Sequence, residues 1–229
     1  AFEDLNLTLR PGEIVGLSGL LGSGRTDMAL ALFGLETGWT GELRIDGEPV
    51  RLRNVQEAIR HGVSYVPEDR LTEGLFLNQS INRNMLASSY EEHARLSVID
   101  RPVVNDLAQR MIAAMHIATP SGEKPVGQLS GGNQQRVVIA RWLLTDARVL
   151  ILNGPTVGVD VGSKAEIHRI IRGLARDKGL SVLMISDDVP ELVQNCNRIV
   201  VMHRGRFVQE LDAATTTEEQ VGDLLKGLR

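Results

Sequence analysis

Eight residues near the start of the chain, GLLGSGRT at Gly19–Thr26, restrict the possible folds more than any other stretch. They follow the apolar run Ile14–Leu17 and lead into the helix-forming run Asp27–Phe33, so the predicted order is strand, glycine loop, helix. Glycines let consecutive backbone N–H groups point at an anion, and the N-terminus of the next helix adds a positive dipole end. The pattern GxxxxGK[ST] fits at every place but one, because Arg25 replaces the lysine.

The stretch therefore predicts a phosphate-binding loop. A glycine-rich turn between a buried strand and a helix can also serve packing alone, and the rest of the chain has to decide between the two interpretations. The residues predicted to form the phosphate site are Gly19, Leu20, Leu21, Gly22, Ser23, Gly24, Arg25, Thr26 and Asp27.

Hydrophobic periodicity predicts an α/β fold in which strands alternate with helices around a mostly parallel sheet. The pair Asp46-Gly47 lies between two apolar runs and is a strong hairpin signal. We expect an antiparallel flap built from roughly the first fifty residues together with the tail of the chain. The strands predicted outside the hairpin are Leu5–Leu9, Ile14–Leu17, Val63–Val66, Val149–Leu152, Val182–Ile185, Ile199–Met202 and Phe207–Leu211.

The middle of the chain has a different pattern. From Leu71 to Met115 strand signals fade and apolar residues recur at helical spacing. Further along, LSGGNQQR at Leu129–Arg136 opens another helix, and its serine followed by two glycines is a second candidate anion site. We therefore expect a helical lobe at about residues 71–144 within a single domain that spans residues 1–229.

Composition narrows the classes of function. With 42% hydrophobic residues in 229, the chain can bury one large core, and a net charge of −4 gives no electrostatic footprint for nucleic acid. A single cysteine, Cys196, excludes an internal disulfide and fits a reducing cytosol. No apolar stretch is long enough to span a bilayer. The abrupt start in a strand-like run leads us to expect a piece of a longer polypeptide.

Three segments resemble, in their order and spacing, the nucleotide-binding domain of ABC transporters. They are the glycine loop, LSGGNQQR about a hundred positions later, and then VLILNGPTVGVD. The wording GLLGSGRT, YVPEDR, LSGGNQQ and GVDVGSK is most similar to the second of two fused ATPase halves in bacterial sugar importers of the ribose, galactose and xylose type. The resemblance covers essentially the whole chain. It implies the P-loop fold of ABC ATPases, with ATP and Mg²⁺ as cofactors.

The resemblance also shows where this chain departs from the family. The aspartate that helps to hold magnesium and the glutamate that polarises the attacking water correspond to Asn153 and Gly154. The glutamine loop corresponds to Glu68, the switch histidine to Asp187 and the loop lysine to Arg25. We expect Thr26 and Asn153 to hold magnesium weakly, since neither is charged. Gly154 offers no proton acceptor, and a missing general base lowers the rate by about 10²–10⁴-fold. We therefore expect hydrolysis to be impaired more than binding.

The segment Leu129–Gln134, which we call the signature segment, retains the family's sequence motif. In the family it contacts the ATP held by the partner half, which implies that this domain completes a neighbour's site while its own is degenerate. The segment is Leu129, Ser130, Gly131, Gly132, Asn133 and Gln134, and the loop that follows the VLILNG strand ends at Asp160. The implied partners are a second ATPase half fused upstream, membrane-spanning permease subunits and, indirectly, a periplasmic sugar-binding protein, at the cytoplasmic face of the bacterial inner membrane.

Two other interpretations stay open at this point. One is a fully active ATPase in which Arg25 and another carboxylate replace the lost groups. The other is a soluble ABC protein that acts on nucleic acid, which the net charge and the importer-like wording at Tyr65–Arg70 disfavour. The first interpretation predicts turnover by the isolated domain, whereas a degenerate site predicts weak ATP binding and almost no hydrolysis.

Overall fold

The computed structural model describes residues 2–90, 94–95, 98–99 and 101–228. The remaining positions, among them 91–93 in the predicted helical lobe, lie outside the described residues. The chain divides into two compact units. The sheet unit is Ala1–Tyr65, Arg148–Pro155 and Arg172–Arg229, and the lobe unit is Val66–Ala147 and Thr156–Ile171.

Strands and helices alternate along most of the chain, as their periodicity predicts. The strands are β1 (Ile14–Gly19), β2 (Leu43–Ile45), β3 (Glu48–Val50), β4 (Val63–Val66), β5 (Ala94–Arg95), β6 (Val98–Ile99), β7 (Val149–Asn153), β8 (Ser181–Ile185), β9 (Arg198–His203) and β10 (Arg206–Asp212). The helices are α1 (Arg25–Leu32), α2 (Val55–Arg60), α3 (Ile81–Leu86), α4 (Arg101–Ala114), α5 (Gly131–Leu143), α6 (Val161–Lys178), α7 (Val189–Asn195) and α8 (Glu218–Gly227). A π-helical turn lies at Arg70–Gly74 and a 3₁₀ turn at Val126–Gln128.

One six-stranded sheet has the order β10, β9, β1, β8, β7, β4. Strand β1 is parallel to β8 and β9, and β7 is parallel to β8, while β10 runs antiparallel to β9. Every residue of β1 and β8 is buried, as parallel strands covered on both faces require. The predicted α/β fold with a mostly parallel sheet is therefore confirmed.

The register of the sheet aligns the carboxyl ends of three neighbouring strands. Ile185 of β8 lies opposite Leu17 of β1 on one side and opposite Asn153 of β7 on the other. The glycine loop after β1, the pair Ser186–Asp187 after β8 and Gly154 after β7 therefore leave the sheet at the same edge. Ligands of open α/β sheets bind at this edge.

The Asp46-Gly47 hairpin is confirmed, with Leu43 of β2 opposite Val50 of β3. Asp46 and Gly47 both have positive φ, 53° and 80°, as the tightest hairpin turns require. The predicted grouping of this hairpin with the tail of the chain is wrong, because β2 and β3 form a sheet of their own while β9 and β10 belong to the six-stranded sheet.

The strand predicted at Leu5–Leu9 is also wrong, since none of the strands includes these described residues. Its leucines are half-buried and alternate with exposed polar residues, so the apolar alternation does mark one buried side. The carbonyl of Thr8, however, accepts a hydrogen bond from the guanidinium of Arg198 on β9. The Arg198 side chain thus takes up one backbone acceptor of this stretch.

In the lobe unit, α5 packs against α3 and against the π-helical turn. Ile81 and Met85 of α3 and Val137 and Ile139 of α5 are fully buried. A short antiparallel pair, β5 and β6, lies in the stretch where only helices were predicted. Among the residues that the structure describes, no helix is both long and apolar enough to cross a membrane.

Candidate nucleotide-binding site

The glycine loop turns tightly between β1 and α1. Gly22 and Gly24 have φ of 77° and 99°, which residues with side chains rarely adopt, and Gly24 is the cap of α1. A Cβ on Gly19 would lie 2.3 Å from the carbonyl oxygen of Met202, so the end of β1 has no room for one. These three glycines are therefore required by the backbone path of the loop.

The loop has the chemistry of an anion site. The first N–H groups of a helix have no acceptor inside the helix, and left-handed glycines turn neighbouring amides in one direction. Thr26 and Asp27 are exposed at this end of α1, and Leu21 at the tip of the loop has 98% of its surface exposed. The residues present thus fit phosphate groups.

Arg25 is held by three groups of the sheet unit. Its Nη2 donates to Oδ1 of Asp187 at 2.6 Å, its Nη1 to the carbonyl of Ser186 at 3.2 Å and its Nε to the hydroxyl of Ser23 at 3.1 Å. Only 9% of the Arg25 side chain is exposed, compared with 73% for Asp187. The positive charge of Arg25 is therefore already paired with the carboxylate of Asp187.

From the sequence, Arg25 and Asp187 are two departures from the family pattern, and the carboxylate of Asp187 is expected to repel phosphate unless a metal ion or Arg25 intervenes. Sheet topology makes them one feature, because β1 and β8 are neighbours and both end at the same edge. The sequence signal that could have revealed this pair is a basic and an acidic replacement at the ends of adjacent strands. Nothing in the sequence pointed to the backbone carbonyl of Ser186 as the third partner.

At the end of β7, Asn153 is 4% exposed and its Nδ2 donates to the hydroxyl of Tyr65 at 3.3 Å. The Tyr65 ring stacks on Phe33 with ring centroids 5.4 Å apart, which fixes the hydroxyl in place. Gly154 follows with φ of 58°, and its N–H donates to the carbonyl of Ile185 at 2.9 Å. The backbone at position 154 is therefore left-handed, a conformation that favours glycine over glutamate.

The donors predicted for magnesium are both neutral: the hydroxyl of Thr26 and the amide oxygen of Asn153. Within the described parts of the chain, no group of three or more His, Cys, Asp or Glu side chains could hold a metal ion. Mg²⁺ usually keeps several waters and is bound by one or two carboxylates together with substrate phosphates. These donors fit an ion that arrives with the phosphates of ATP better than an ion held by the protein itself.

The other predicted site residues belong to the lobe unit. Glu68 is exposed and follows β4 by two residues. Asp160 is the N-terminal cap of α6, because its Oδ1 accepts the N–H of Ser163 at 3.0 Å. Hydrogen bonds from the backbone and the side chain of Ser163 lower the pKa of Asp160 below its usual range. Of the predicted site residues, Arg25 and Asp187 are in direct contact, and both belong to the sheet unit.

The signature segment forms the start of α5. Ser130 caps the helix, and its hydroxyl accepts hydrogen bonds from the backbone N–H of Asn133 at 3.5 Å and from the side-chain Nδ2 at 2.9 Å. Leu129 is half-buried, and the buried Gln134 side chain donates to a carbonyl of the 3₁₀ turn at 3.4 Å. Ser130 itself is exposed, so its hydroxyl is at the surface.

Comparison with known proteins gives a family match. The family model described as ABC transporter matches residues 2–157. A putative ribose/galactose/methyl galactoside import ATP-binding protein of Rhizobium etli is 43% identical over 99% of this chain and 43% of its own length. One of the same description from Pseudomonas syringae pv. tomato is 41% identical over 100% of the chain and 43% of its own length. The chain thus spans less than half the length of these relatives.

Solved structures resemble the whole fold. CbiO1 of Clostridium perfringens, described as part of the ABC transporter complex cbiONQ, matches with a TM-score of 0.80 over 99% of this chain and 88% of its own, at 19% identity. The ATP-binding cassette MJ0796, a dimer bound to ADP and Pi, matches with a TM-score of 0.79 over 93% of this chain and 90% of its own, at 20% identity. At these identities the comparison shows the fold alone.

Proposed function

This chain belongs to the ATP-binding domains of ABC transporters, and on that premise we propose that it is the coupling ATPase half of a carbohydrate importer with a degenerate nucleotide site of its own. Domains of this family bind ATP together with Mg²⁺. The proposal has three parts: the transported substrate, the state of the chain's own site and the role of its signature segment.

The relatives support the substrate class, because their names give ribose, galactose and methyl galactoside import at 41–43% identity. Their greater length supports a second ATPase half in the same polypeptide, although its place before this chain rests on the resemblance of the motifs. Permease subunits, a periplasmic sugar-binding protein and a location at the cytoplasmic face of the inner membrane follow from the same proposal. So does a single ATP-binding domain over residues 1–229 with a helical lobe at about 71–144.

The observation that carries the degenerate site is the pairing of Arg25 with Asp187 at 2.6 Å. A nucleotide phosphate has to compete with this carboxylate for the guanidinium. The next position along the sheet edge, Gly154, has neither a carboxylate nor a backbone conformation that suits one. When ATP is bound, Mg²⁺ supplies charge neutralisation of the phosphates. The chain's own residues bind the nucleotide but do not activate the attacking water. Weak binding without efficient hydrolysis is the expected result.

The role of the signature segment rests on the surface hydroxyl of Ser130 and on the glycines that follow it. An exposed hydroxyl at the N-terminus of the 13-residue helix α5 can donate to a phosphate oxygen of a molecule bound elsewhere. We assign this segment to the ATP held by the partner half. The domain then contributes to hydrolysis at a site that it does not itself hold.

Steady-state ATPase assays and nucleotide binding on the purified domain test the degenerate site. We expect measurable ATP binding with turnover far below 1 s⁻¹, since a missing general base costs about 10²–10⁴ in rate. Turnover of about 1 s⁻¹ or more, within the usual range of enzymes, would instead support the fully active ATPase with compensating residues.

A further inference from the structure

The guanidinium of Arg70 connects three segments of the lobe unit. Its Nη1 donates to the carbonyl of Val157 at 2.7 Å and its Nη2 to the carbonyl of Gly158 at 3.1 Å. Its Nε lies 3.4 Å from Oε1 of Gln134 on α5. One side chain thus joins the turn after β4, the start of α5 and the loop that leads into α6 at Asp160.

Two glycines keep the space that this arrangement needs. A Cβ on Gly131 would lie 2.7 Å from Nη2 of Arg70 and 3.0 Å from the carbonyl oxygen of Gly158. At the base of the arginine, a Cβ on Gly74 would lie 3.3 Å from Cβ of Arg70 and 3.4 Å from a methyl group of Val138 on α5. Gly131 thus leaves room for the bonded guanidinium, and Gly74 leaves room beside the base of the same side chain.

The chemistry of arginine suits this task. Its planar guanidinium presents five N–H donors in a fixed fork and accepts no hydrogen bond, so it can hold two successive carbonyls and an amide oxygen at once. A lysine is a point charge and cannot reproduce that geometry. The contacts hold backbone, not side chains, on the loop at 157–158, so they set the position of the loop itself.

We propose that Arg70 is a positioning residue that fixes the start of α5, with Ser130, relative to the loop ending at Asp160. This inference rests on the proposed function, in which the signature segment acts on an ATP held by the partner half. Without Arg70 the segment keeps its residues but loses the register of its surface hydroxyl. Misplacement by about 1 Å of a group that acts on the transition state can cost about 100-fold in rate.

The test uses the full-length ATP-binding polypeptide assembled with its membrane subunits in liposomes. Steady-state ATPase activity is measured for Arg70→Ala and Arg70→Lys, with Arg83→Ala as the matched control. Arg83 is an exposed arginine of α3 in the same unit, and its Nη1 donates to the side chain of Gln79 at 2.8 Å. We expect both Arg70 variants to lose about 10- to 100-fold in kcat with little change in KM for ATP. Arg83→Ala should behave as wild type.

Chemical rescue separates positioning from a structural role. Because Arg70 is partly exposed, guanidinium chloride at millimolar concentration can enter the space left in Arg70→Ala and bond the two freed carbonyls. It should restore much of the kcat, whereas methylammonium chloride should not. If Arg70→Ala fails to fold, Arg70→Lys decides alone, since it keeps the charge and most of the stem.

Wild-type kcat in Arg70→Lys and in any folded Arg70→Ala would overturn the inference, as would a loss in folded Arg70→Ala that guanidinium does not restore. Ser130→Ala, assayed in parallel, distinguishes the two levels of the proposal. If Ser130→Ala loses turnover while the Arg70 variants keep it, only the inference about Arg70 fails. If Ser130→Ala keeps full turnover, the proposed function fails and the inference fails with it.

Discussion

At the scale of single residues, we expect the ion pair of Arg25 and Asp187 to set the strength of nucleotide binding. The buried guanidinium already has an anion beside it, and that anion belongs to the protein. Asp187 is mostly exposed, so solvent screens the pair and limits its strength. We therefore expect ATP to displace the carboxylate and to bind more weakly because of the competition.

Replacing Asp187 by asparagine should strengthen ATP binding by the purified domain. Without the competing negative charge, the guanidinium of Arg25 attracts phosphate oxygens more strongly, and the gain is about 1 kcal/mol, or about fivefold in Kd. Isothermal titration with ATP measures it. Asp188→Asn is the matched control, because it removes one charge at the next position and asparagine can still cap α7. Equal Kd values for Asp187→Asn and wild type would contradict competition at Arg25.

Gly154 shows why the site cannot be restored simply. Its φ of 58° suits glycine, and a side chain other than that of asparagine or aspartate costs roughly 1–2 kcal/mol there. Gly154→Glu should therefore lower the midpoint of urea unfolding, whereas Gly154→Asn should lower it less.

The double variant Asn153→Asp, Gly154→Glu should improve magnesium-dependent ATP binding more than turnover. Recovery of full ATPase activity in the double variant would show that the backbone and Asp187 matter less than we argue.

At the scale of elements, the two glycines that open α5 have different surroundings. A Cβ on Gly132 would lie 2.4 Å from Cβ of Ser163, a short side chain on α6, whereas the atoms nearest to a Cβ on Gly131 are Nη2 of Arg70 at 2.7 Å and the carbonyl oxygen of Gly158 at 3.0 Å. Gly132→Ala should lower the free energy of unfolding by about 3 kcal/mol and Gly131→Ala by about 1 kcal/mol. Urea unfolding of the purified domain measures both.

Gly222 within α8 is the control for these substitutions. No atom lies within 4 Å of a Cβ built there, and alanine is the better helix former, so Gly222→Ala should stabilise the domain by up to about 1 kcal/mol. Equal destabilisation by Gly131→Ala and Gly132→Ala would contradict the packing described for α5. The result also matters for function, because a bulky residue at position 131 disturbs this domain itself and cannot serve as a clean test of the partner's ATP.

The elements themselves were largely predictable from local signals. Continuous apolar runs marked β1, β7 and β8, the Asp46-Gly47 turn marked its hairpin, and Ser130 marked the start of α5. Local sequence signals did not predict features that depend on contacts between residues far apart in the chain. The half-buried Leu5–Leu9 had the right alternation, but Arg198, far along the chain, bonds to its backbone. The pairing of Arg25 with Asp187 and the contacts of Arg70 also join residues at least 60 positions apart, which no periodicity reveals.

At the scale of the whole molecule, the sheet unit and the lobe unit carry different halves of the proposed function. The sheet unit holds the glycine loop together with the replacements at 25, 153, 154 and 187, and the lobe unit holds the signature segment with its supporting contacts. We therefore expect substitutions in the two units to have different consequences in the proposed importer. Under the proposed function, we expect loss of Arg25 to affect nucleotide held by this domain and loss of Ser130 to affect hydrolysis by the partner half.

The measurement that tests this division most directly is the ATPase activity of the assembled importer carrying Ser130→Ala or Arg25→Ala. Ser130→Ala also removes the cap of α5, which costs about 1 kcal/mol of stability, so Ser80→Ala, which removes the serine cap of α3, is the control. We predict that Ser130→Ala lowers turnover by about 10²-fold or more, since it removes a donor to the transition state. Ser80→Ala and Arg25→Ala should stay close to wild type. Equal losses in Ser130→Ala and Arg25→Ala would contradict the account.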